Sequence, residues 1–385
     1  MIESPISLSS KLPRSGTSIF AVMSGLAREH NAINLSQGFP DFDVDPVLID
    51  RVHHYMQKGM NQYAPMPGVM ELRRAIAEKV ERLYGVQYDI ADEITVTPGA
   101  TYGIYAAISS VVKEGDEVII FTPAYDCYGP AVELNGGKPV YLQLQAPDYR
   151  IDWEEVKQLI NHKTRMIMIN TPHNPSGTVM TAEDLKTLEQ ITAGSDILIL
   201  SDEVYEHVIF DNVRHESVMH YPELVKRSFV VFSFGKTFHA TGWKMGYCLA
   251  PGALMAEFRK VHQFQAFSVN TPTQYALADY LENKENYENV ASFYEKKRDR
   301  FVDLVSGSRF SVIPAGGTYF QSLGYSNITD EDDEAFARRL TVEHKIASIP
   351  VSVFYHQKRD DKMLRFCFAK GDDTLERAAE ILCRI

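Results

Sequence analysis

Between residues 90 and 250 the chain alternates short apolar runs with longer amphipathic stretches. Turn residues bound each apolar run, and helix-like stretches such as residues 100–112 lie between them. Continuous apolar strands that alternate with helices are typical of a parallel sheet covered on both faces. We therefore predict an α/β fold with a mostly parallel central sheet flanked by helices. The runs, each expected to form a buried strand, are EITVTPG, DEVIIFTP, KPVYLQL, RMIMINTP, ILILSDEV and FVVFSFGK.

The last third of the chain has a different pattern. It reads as a charged amphipathic helix at 287–307, a strand pair at 309–324, a helix at 332–346 and a strand at 363–370, which together predict an α+β module. The N-terminal segment cannot form a core by itself, so we expect it to join this module. The predicted domains are an N-terminal segment of residues 1–45, a large domain of residues 46–281 and a small C-terminal domain of residues 282–385.

Composition excludes several classes of function. The 385 residues include 39 Lys and Arg against 51 Asp and Glu, a net charge of -12, so we expect no nucleic-acid partner. No apolar run approaches the roughly 18 residues of a membrane span, and the first residues do not resemble a signal peptide. The four cysteines are scattered without a CxxC pair, which predicts a cytoplasmic protein without disulfides. The spacings of His173, His207 and His239 match no metal-ligand set.

Polar residues follow four of the predicted strands. Ligands of open α/β sheets bind at the carboxyl ends of the strands, so we expect these side chains to meet at one edge of the sheet. They offer a lysine, a carboxylate, a phenol, an amide and phosphate donors, which is the set that pyridoxal 5′-phosphate (PLP) requires. These residues are Gly99, Ala100, Thr101, Asn174, Asp202, Tyr205, Ser233, Lys236 and, further on, Lys244.

Each type of residue has a chemical reason to be there. A helix that opens at Gly99 presents backbone N–H groups to a phosphate, and Ser233 and Lys244 add a hydroxyl and a charge. A buried Asp202 would keep the pyridine nitrogen of PLP protonated. Holding that proton across about three pKa units corresponds to about 4 kcal/mol. Lys236 would form the Schiff base through its amine once that amine has lost its proton.

Ordinary structural explanations exist for the same residues. Asp202 could cap a helix, and Gly99 could simply end a strand. Asn174 lies in an NPSG turn, and that turn is expected whether or not the residue has a function. Arg365 could be an edge-strand charge. The chain has 20 tyrosines, so most of them must be packing residues.

Three blocks of the sequence resemble the hallmark motifs of class I aminotransferases, which are fold-type I PLP enzymes. The resemblance extends from NLSQGFPDF at 34–42 to LRFCFAK at 364–370. It is greatest with the branch that holds bacterial methionine aminotransferase and kynurenine aminotransferase/glutamine transaminase K, to which NQYAPMPG, PAYDCYGP and SVNTPTQ are similar. The three hallmark blocks are SFGKTFHATGWKMGY, TPHNPSG and SDEVYE.

The resemblance implies a homodimeric enzyme with shared active sites, which transfers an amino group from an amino acid to a 2-oxo acid by a PLP ping-pong mechanism. It implies catalytic roles for Lys236, Asp202 and Tyr205. For the cofactor, it implies that Tyr125 stacks on the ring, that Asn174 and Tyr205 hold the phenolic oxygen, and that Tyr63 reaches the phosphate of the neighbouring subunit. Gly99, Ala100, Thr101, Ser233 and Lys244 would hold the phosphate, and Arg365, Gly38 and Asn174 would bind the substrate.

The chain departs from the family pattern at a few positions. Lys244 stands where many class I members have Arg, which keeps the charge but loses bidentate geometry. His239 is unusual for the class motif. Val269 and Asn270 replace an aromatic–His pair of kynurenine-type enzymes, which argues against kynurenine as the main substrate. In dicarboxylate-specific aminotransferases of this fold, an Arg of the partner subunit usually binds the distal carboxylate of the substrate. The corresponding residues 261–283 contain no Arg or Lys here, so the resemblance implies an uncharged donor such as methionine, glutamine, phenylalanine, tyrosine or a kynurenine-like amino acid.

Two alternatives remain open at the level of sequence. A PLP-dependent cysteine-conjugate β-lyase could use the same residues, because both reactions share a carbanion. A PLP-binding regulator would need an added DNA-binding segment, for which we expect this acidic chain to have no room.

Overall fold

The computed structural model describes residues 6–385, which form fifteen α-helices and thirteen strands. The helices are α1 (Ile19–Glu29), α2 (Pro46–Gln57), α3 (Met70–Tyr84), α4 (Ala100–Val111), α5 (Tyr128–Leu134), α6 (Trp153–Leu159), α7 (Ala182–Thr192), α8 (Pro222–Val225), α9 (Phe234–Thr237), α10 (Gly252–Gln265), α11 (Thr271–Glu282), α12 (Glu285–Glu288), α13 (Val290–Val305), α14 (Asp333–Val342) and α15 (Asp372–Leu382). The strands are β1 (Ile33–Asn34), β2 (Ile94–Thr97), β3 (Glu117–Thr122), β4 (Lys138–Gln143), β5 (Thr164–Asn170), β6 (Leu198–Asp202), β7 (Ser228–Ser233), β8 (Gly246–Leu249), β9 (Ser311–Val312), β10 (Phe320–Gly324), β11 (Ile346–Ala347), β12 (Ile349–Pro350) and β13 (Met363–Cys367).

The central sheet has seven strands in the order β2-β8-β7-β6-β5-β3-β4. All neighbouring pairs are parallel except those that include β8, which runs antiparallel to both β2 and β7. The predicted α/β class with a mostly parallel sheet is confirmed. The expectation that every run is buried is wrong for β4, which lies at the edge of the sheet and begins with the exposed Lys138.

Both faces of the central sheet are covered by apolar layers. Successive residues of β6 belong to different layers, because Ile199 packs in one hydrophobic core while Leu198 and Leu200 pack in the other. Side chains of a strand point alternately to opposite faces, so a strand buried on both faces is apolar at most of its positions. This is why the strands read as continuous apolar runs in the sequence.

Strand register brings the polar strand ends together. Asn170 at the end of β5 pairs with Asp202 at the end of β6. On the other side, Ser233 of β7 and Thr97 of β2 both pair with Gly246 of β8. A Cβ atom on Gly246 would lie 2.5 Å from the carbonyl oxygen of Phe232, so this close approach requires glycine. The segments that follow β2, β5, β6 and β7 therefore meet at one edge of the sheet.

A second module combines both ends of the chain. Strands β12, β13, β10 and β9 form an antiparallel sheet, and β1 pairs in parallel with β11 through Ile33 and Ile346. Met23 and Leu35 share a hydrophobic core with Phe336 from α14. The N-terminal segment thus buries its apolar residues against the C-terminal part. The boundaries at residues 45 and 281 stay a prediction.

A buried ionic cluster supports the turn that follows β6. Lys79 of α3 forms an ion pair with Glu206, and both side chains are 3 % exposed. Tyr84 also donates a hydrogen bond to Glu206. Burial by itself would raise the pKa of Glu206, but Lys79 and His207 hold it well below its usual range. Because Glu206 lies one residue after Tyr205, this cluster fixes the turn that carries Tyr205, directly after Asp202 at the end of β6.

Removing one partner of this pair should be costly. We expect Glu206→Gln to lower the free energy of unfolding by about 3 kcal/mol, because it leaves Lys79 buried without a counter-ion. The double variant Lys79→Met/Glu206→Gln should be more stable than Glu206→Gln. As a matched control, Glu223→Gln breaks the exposed pair with Lys226 and should cost less than about 1 kcal/mol. Denaturant unfolding measures all three. Equal losses in Glu206→Gln and Glu223→Gln would contradict the prediction.

No helix of residues 6–385 combines the length and the apolar character that crossing a bilayer requires.

Candidate active site

A cavity of about 130 Å³ lies at the edge of the central sheet where the strand ends meet. The structure brings ten of the thirteen predicted site residues to its wall. The cavity lies between the N-terminus of α4, the ends of β5, β6 and β7, and the short helix α9. These ten residues are Gly99, Ala100, Thr101, Tyr125, Asn174, Asp202, Tyr205, Ser233, Lys236 and Lys244.

Lys236 lies on α9, which begins directly after β7. Its Nζ donates hydrogen bonds to the hydroxyl of Tyr319 at 2.9 Å and to the carbonyl oxygen of Gly38 at 3.3 Å. Burial lowers the pKa of Lys236 to about 8. At pH 7 roughly a tenth of the amine is therefore neutral, which is several hundred times the fraction expected for a lysine with an ordinary pKa. The amine can act as a nucleophile or a base near neutral pH.

Asp202 is buried at the end of β6 and is 4 % exposed. The hydroxyl of Tyr128 donates to its Oδ2 at 2.6 Å, and the backbone N–H of Val204 donates to its Oδ1 at 3.3 Å. Burial raises the pKa of Asp202 to about 6, while the hydrogen bond from Tyr128 opposes that rise. Asp202 is therefore mostly a carboxylate at neutral pH. It supplies a negative charge deep in the cavity.

The N-terminus of α4 forms a cradle for an anion. Gly99 caps this twelve-residue helix with a φ of 84°, and no side chain caps the backbone N–H groups that follow. Lys244 lies beside this end, since a Cβ atom on Gly99 would be 3.4 Å from its Nζ. Within residues 6–385, no carboxylate forms an ion pair with Lys244. Uncapped N–H groups next to an unpaired cation fit a phosphate.

Arg365 lies on β13 of the second module and reaches toward the same cavity. It is 1 % exposed, its Nη1 donates to Oδ1 of Asn174 at 2.7 Å, and its Nη2 donates to the carbonyl oxygen of Ser36 at 3.3 Å. Its Nε has no hydrogen-bond partner within the described part of the chain. Burial lowers the pKa of Arg365 to about 10, so the guanidinium remains charged at neutral pH. A buried cation with an unused donor fits a carboxylate ligand.

Aromatic rings fix the plane of this guanidinium. Its Cζ lies 3.8 Å from the ring centroid of Phe320 and 5.2 Å from that of Phe354. Such stacking holds a delocalised, planar cation in one orientation. The alternative interpretation of Arg365 as an exposed edge-strand charge is wrong, because β13 lies between β10 and β12 and the side chain is buried.

Two phenols have restricted chemistry. Tyr205 is buried with its ring perpendicular to that of Tyr319 at 5.1 Å between centroids, and burial raises its pKa well above the ordinary value. Burial also raises the pKa of Tyr125 to about 12, and its hydroxyl lies 3.4 Å from Oγ1 of Thr101. Both phenols are therefore neutral at physiological pH and can donate hydrogen bonds.

Gly38 and Tyr63 occupy different surroundings from the other predicted residues. Gly38 meets the site through its carbonyl oxygen, which accepts from Tyr319 at 2.6 Å and from Lys236. A Cβ atom at this position would lie 2.6 Å from Cζ of Phe320, so the site has no room for a side chain. Tyr63 does not line the cavity of its own chain. It is 84 % exposed and packs edge-on against Phe267.

Reasoning from sequence missed three residues at the site. Tyr128 could have been found, because it lies in the same PAYDCYGP segment as Tyr125, three residues further along the chain. Asn170 ends β5 and lines the cavity, so the rule of strand ends applies to it as well. Tyr319 gave no signal, because its contact with Lys236 joins two modules that are distant in sequence.

The histidines considered as metal ligands have other surroundings. Nδ1 of His173 lies 2.6 Å from the hydroxyl of Ser176, and His239 packs edge-on against Phe42. Among residues 6–385, no three His, Cys, Asp or Glu side chains are grouped in a way that could hold a metal ion.

The residues present fit PLP. The cradle at α4 suits its phosphate, the carboxylate of Asp202 suits a protonated ring nitrogen, and the amine of Lys236 suits its aldehyde. The free Nε of Arg365 leaves a site for the carboxylate of an amino acid.

The chain is similar to known proteins over nearly its whole length. A family model described as aminotransferase class I and II matches residues 30–382. The chain is 51% identical over 383 residues to the methionine aminotransferase of Escherichia coli (strain K12), covering 99% of each chain. It is 33% identical over 410 residues to the kynurenine–oxoglutarate transaminase of Dictyostelium discoideum, covering 96% of this chain and 94% of that one.

Solved structures are also similar. A crystal structure from Escherichia coli, for which a methionine aminotransferase function was identified, has a TM-score of 0.97 and 51% identity, covering 99% of this chain and 100% of that one. The N-succinyldiaminopimelate aminotransferase of Mycobacterium tuberculosis has a TM-score of 0.94 and 34% identity, covering 98% and 100%. The resemblance that the motifs predicted, together with its fold, is confirmed.

Proposed function

Because the chain belongs to the aminotransferase class I and II family, we propose that it is a PLP-dependent aminotransferase that takes an amino group from an uncharged, apolar or aromatic amino acid. The observation that carries this proposal is the meeting of Lys236, Asp202 and Arg365 around one cavity. Their amine, carboxylate and guanidinium match the aldehyde of PLP, its ring nitrogen and the carboxylate of an amino acid substrate, respectively. The acceptor is a 2-oxo acid.

Each residue then has a defined task. When bound, PLP supplies an electron sink for the electron pair left behind as a proton leaves the α-carbon of the substrate. The carboxylate of Asp202 holds the ring nitrogen in its protonated form. The amine of Lys236 accepts the proton from the α-carbon and later donates it, as general base and acid. The lowered pKa of Lys236 keeps both protonation states accessible near neutral pH.

Arg365 orients the substrate through its carboxylate. The stacked rings of Phe320 and Phe354 keep the guanidinium in one plane, and Asn174 holds Nη1. Binding the carboxylate through a charge-assisted contact leaves the α-carbon near Lys236. Because Asn174 uses Oδ1 to hold Arg365, its amide N–H₂ group is the part available to the phenolic oxygen of the cofactor, as is the hydroxyl of Tyr205.

The proposed substrate class rests on the segment between Val261 and Asn283, which by the family resemblance would lie against the distal end of the substrate in the partner's site. This segment has no Arg or Lys, and its large side chains Phe264 and Phe267 are 85 % and 45 % exposed. A carboxylate placed against such residues would lose its hydration without gaining a cation. We therefore propose methionine, glutamine, phenylalanine, tyrosine or a kynurenine-like amino acid as the donor. Relatives named for methionine and for kynurenine support this class.

The same exposed residues support a homodimer. Tyr63 and Phe267 are exposed and their rings are in contact, and Phe264, three residues before Phe267, is exposed as well. Exposed aromatic side chains that cluster on a surface mark interaction sites. A two-fold interface is reciprocal, so each chain would lend Tyr63 to the phosphate site of the other.

Trapping the cofactor tests the proposal directly. Borohydride reduction of the purified protein should leave PLP covalently attached to the peptide that contains Lys236, as measured by mass spectrometry. The variant Lys236→Ala should bind PLP but carry no label after reduction. Lys260→Ala is the matched control, because Lys260 is exposed and pairs with Glu257 on α10. Label on any other lysine would contradict the assignment.

Donor preference tests the substrate class. We expect kcat/KM for methionine, glutamine or an aromatic amino acid to exceed that for aspartate by about 100-fold, because an unpaired buried carboxylate costs about 3 kcal/mol. Steady-state assays with a common 2-oxo acid measure this ratio. Aspartate as the best donor would refute it. Pyruvate and ammonia released from a cysteine conjugate without a 2-oxo acid, faster than transamination, would instead favour the β-lyase.

Mixed dimers test the shared site. Lys236→Ala disables the site of its own chain, and Tyr63→Glu places a carboxylate against the phosphate in the partner's site. In a mixed dimer one site contains both lesions and the other contains neither. Co-refolding the two inactive variants should therefore restore about a quarter of wild-type activity per chain if mixing is statistical. No recovery in dimers shown to be mixed would place Tyr63 outside the partner's site.

A further inference from the structure

Tyr128 donates a hydrogen bond to the carboxylate of Asp202 from outside the cavity that the cofactor would occupy in our proposal. We propose that Tyr128 is a positioning residue, which keeps the proton shared by Asp202 and the ring nitrogen of PLP on the nitrogen. This proposal rests on the proposed function, because it concerns the same site. It adds a residue that does not line the cavity and that acts only through Asp202.

The geometry gives the two oxygens of Asp202 different surroundings. Tyr128 is the first residue of α5, is 3 % exposed, and donates to Oδ2 at 2.6 Å, which is short for a hydrogen bond between two oxygens. Oδ1 accepts only the longer bond from the backbone of Val204 at 3.3 Å. Oδ2 is thus firmly held, and Oδ1 keeps capacity for a second donor.

The donor role of Tyr128 cannot be reversed. Burial raises the pKa of its phenol well above the ordinary value, and the neighbouring Asp202 raises it further. The phenol therefore remains protonated at physiological pH, and toward a carboxylate it must donate. A hydrogen bond donated to a carboxylate stabilises the charged form and lowers the pKa of the acid.

The electrostatic surroundings show why this bond matters. Lys236 is the cation among the groups that face Asp202, and its own pKa is lowered by burial to about 8. Burial raises the pKa of Asp202 to about 6, and the hydrogen bond from Tyr128 acts in the opposite direction by lowering it. Without Tyr128, Asp202 becomes a stronger base and competes better with the ring nitrogen for one proton. The titratable or charged groups around Asp202 are Tyr128, Cys127, Tyr125, Tyr205, Glu203 and Lys236.

The first experiment uses the full chain without cofactor. With ¹³C-labelled aspartate, infrared difference spectra follow the carboxylic-acid C=O band that is present in the wild type and absent in Asp202→Asn. In the wild type we expect the titration midpoint of this band, which is the pKa of Asp202, at about pH 6. In Tyr128→Phe the midpoint should lie about one pH unit higher, since a hydrogen bond to a charged group is worth about tenfold or more in the equilibrium constant.

The second experiment locates the shared proton in the loaded enzyme. With PLP labelled by ¹⁵N in the ring, the ¹⁵N resonance should lie at the position of a protonated ring in the wild type. In Tyr128→Phe it should move toward the position of the neutral ring, while the carboxylic-acid band of Asp202 grows. A residue that only fills space would move neither signal.

Two further variants separate this role from packing. Tyr125→Phe removes another hydroxyl from the same region without touching Asp202, and it should leave the midpoint of Asp202 unchanged. Replacement of Tyr128 by 3-fluorotyrosine retains the ring and supplies a more acidic donor, so the midpoint should fall instead of rise. This opposite sign keeps the proposal testable if Tyr128→Phe proves unstable.

The outcomes are distinct. Equal midpoints in the wild type and in both Tyr128 variants, with an unchanged ¹⁵N resonance, would overturn the proposal and leave Tyr128 as a packing residue. A wild-type protein that binds no PLP would refute the proposed function. The titration of Asp202 without cofactor would still decide whether Tyr128 controls that carboxylate.

Discussion

The parallel register of β5, β6 and β7 is the constraint on which the rest of the site depends. Parallel strands place their carboxyl ends at one edge of the sheet, so Asn170, Asp202 and Ser233 come together whatever their separation in sequence. The antiparallel β8 begins at the same edge, because Gly246 pairs with Ser233, and Lys244, two residues before Gly246, lies beside the N-terminus of α4. A shift of one residue in this register would turn each of these side chains to the opposite face.

Burial of the site is the second constraint on its chemistry, because it shifts the pKa values of Lys236, Asp202 and Arg365. It lowers the pKa of the Lys236 amine to about 8, and it raises the pKa of Asp202 to about 6. Arg365 has its pKa lowered to about 10 yet remains a cation. The same low-polarity surroundings that stabilise the fold thus provide a base, an ionised acid and an anion-binding group. Hydrogen bonds from Tyr128 and to Asn174 keep two of these groups in place.

The site is complete only because the chain folds back on itself. Gly38 comes from the N-terminal segment, whereas Tyr319 and Arg365 come from the C-terminal strands, and these three residues meet the large sheet near Lys236 and Asn174. The pairing of β1 with β11 joins the two ends of the chain. Relative movement of the two modules would therefore change the distance between the amine of Lys236 and its partners Gly38 and Tyr319.

The sequence by itself determined the fold class and most of the cavity wall. Apolar runs buried on both faces have few polar positions, so their boundaries, and the polar residues just beyond them, are visible in the sequence. The motifs around Lys236, Asn174 and Asp202 are contiguous in the chain, so they can be recognised without knowledge of the fold. Only the tertiary structure placed Tyr319 against Lys236, buried Arg365 between aromatic rings and aimed Tyr128 at Asp202. Contacts between residues that are distant in the chain depend on packing and on strand register, which the pattern of residues along the chain does not specify.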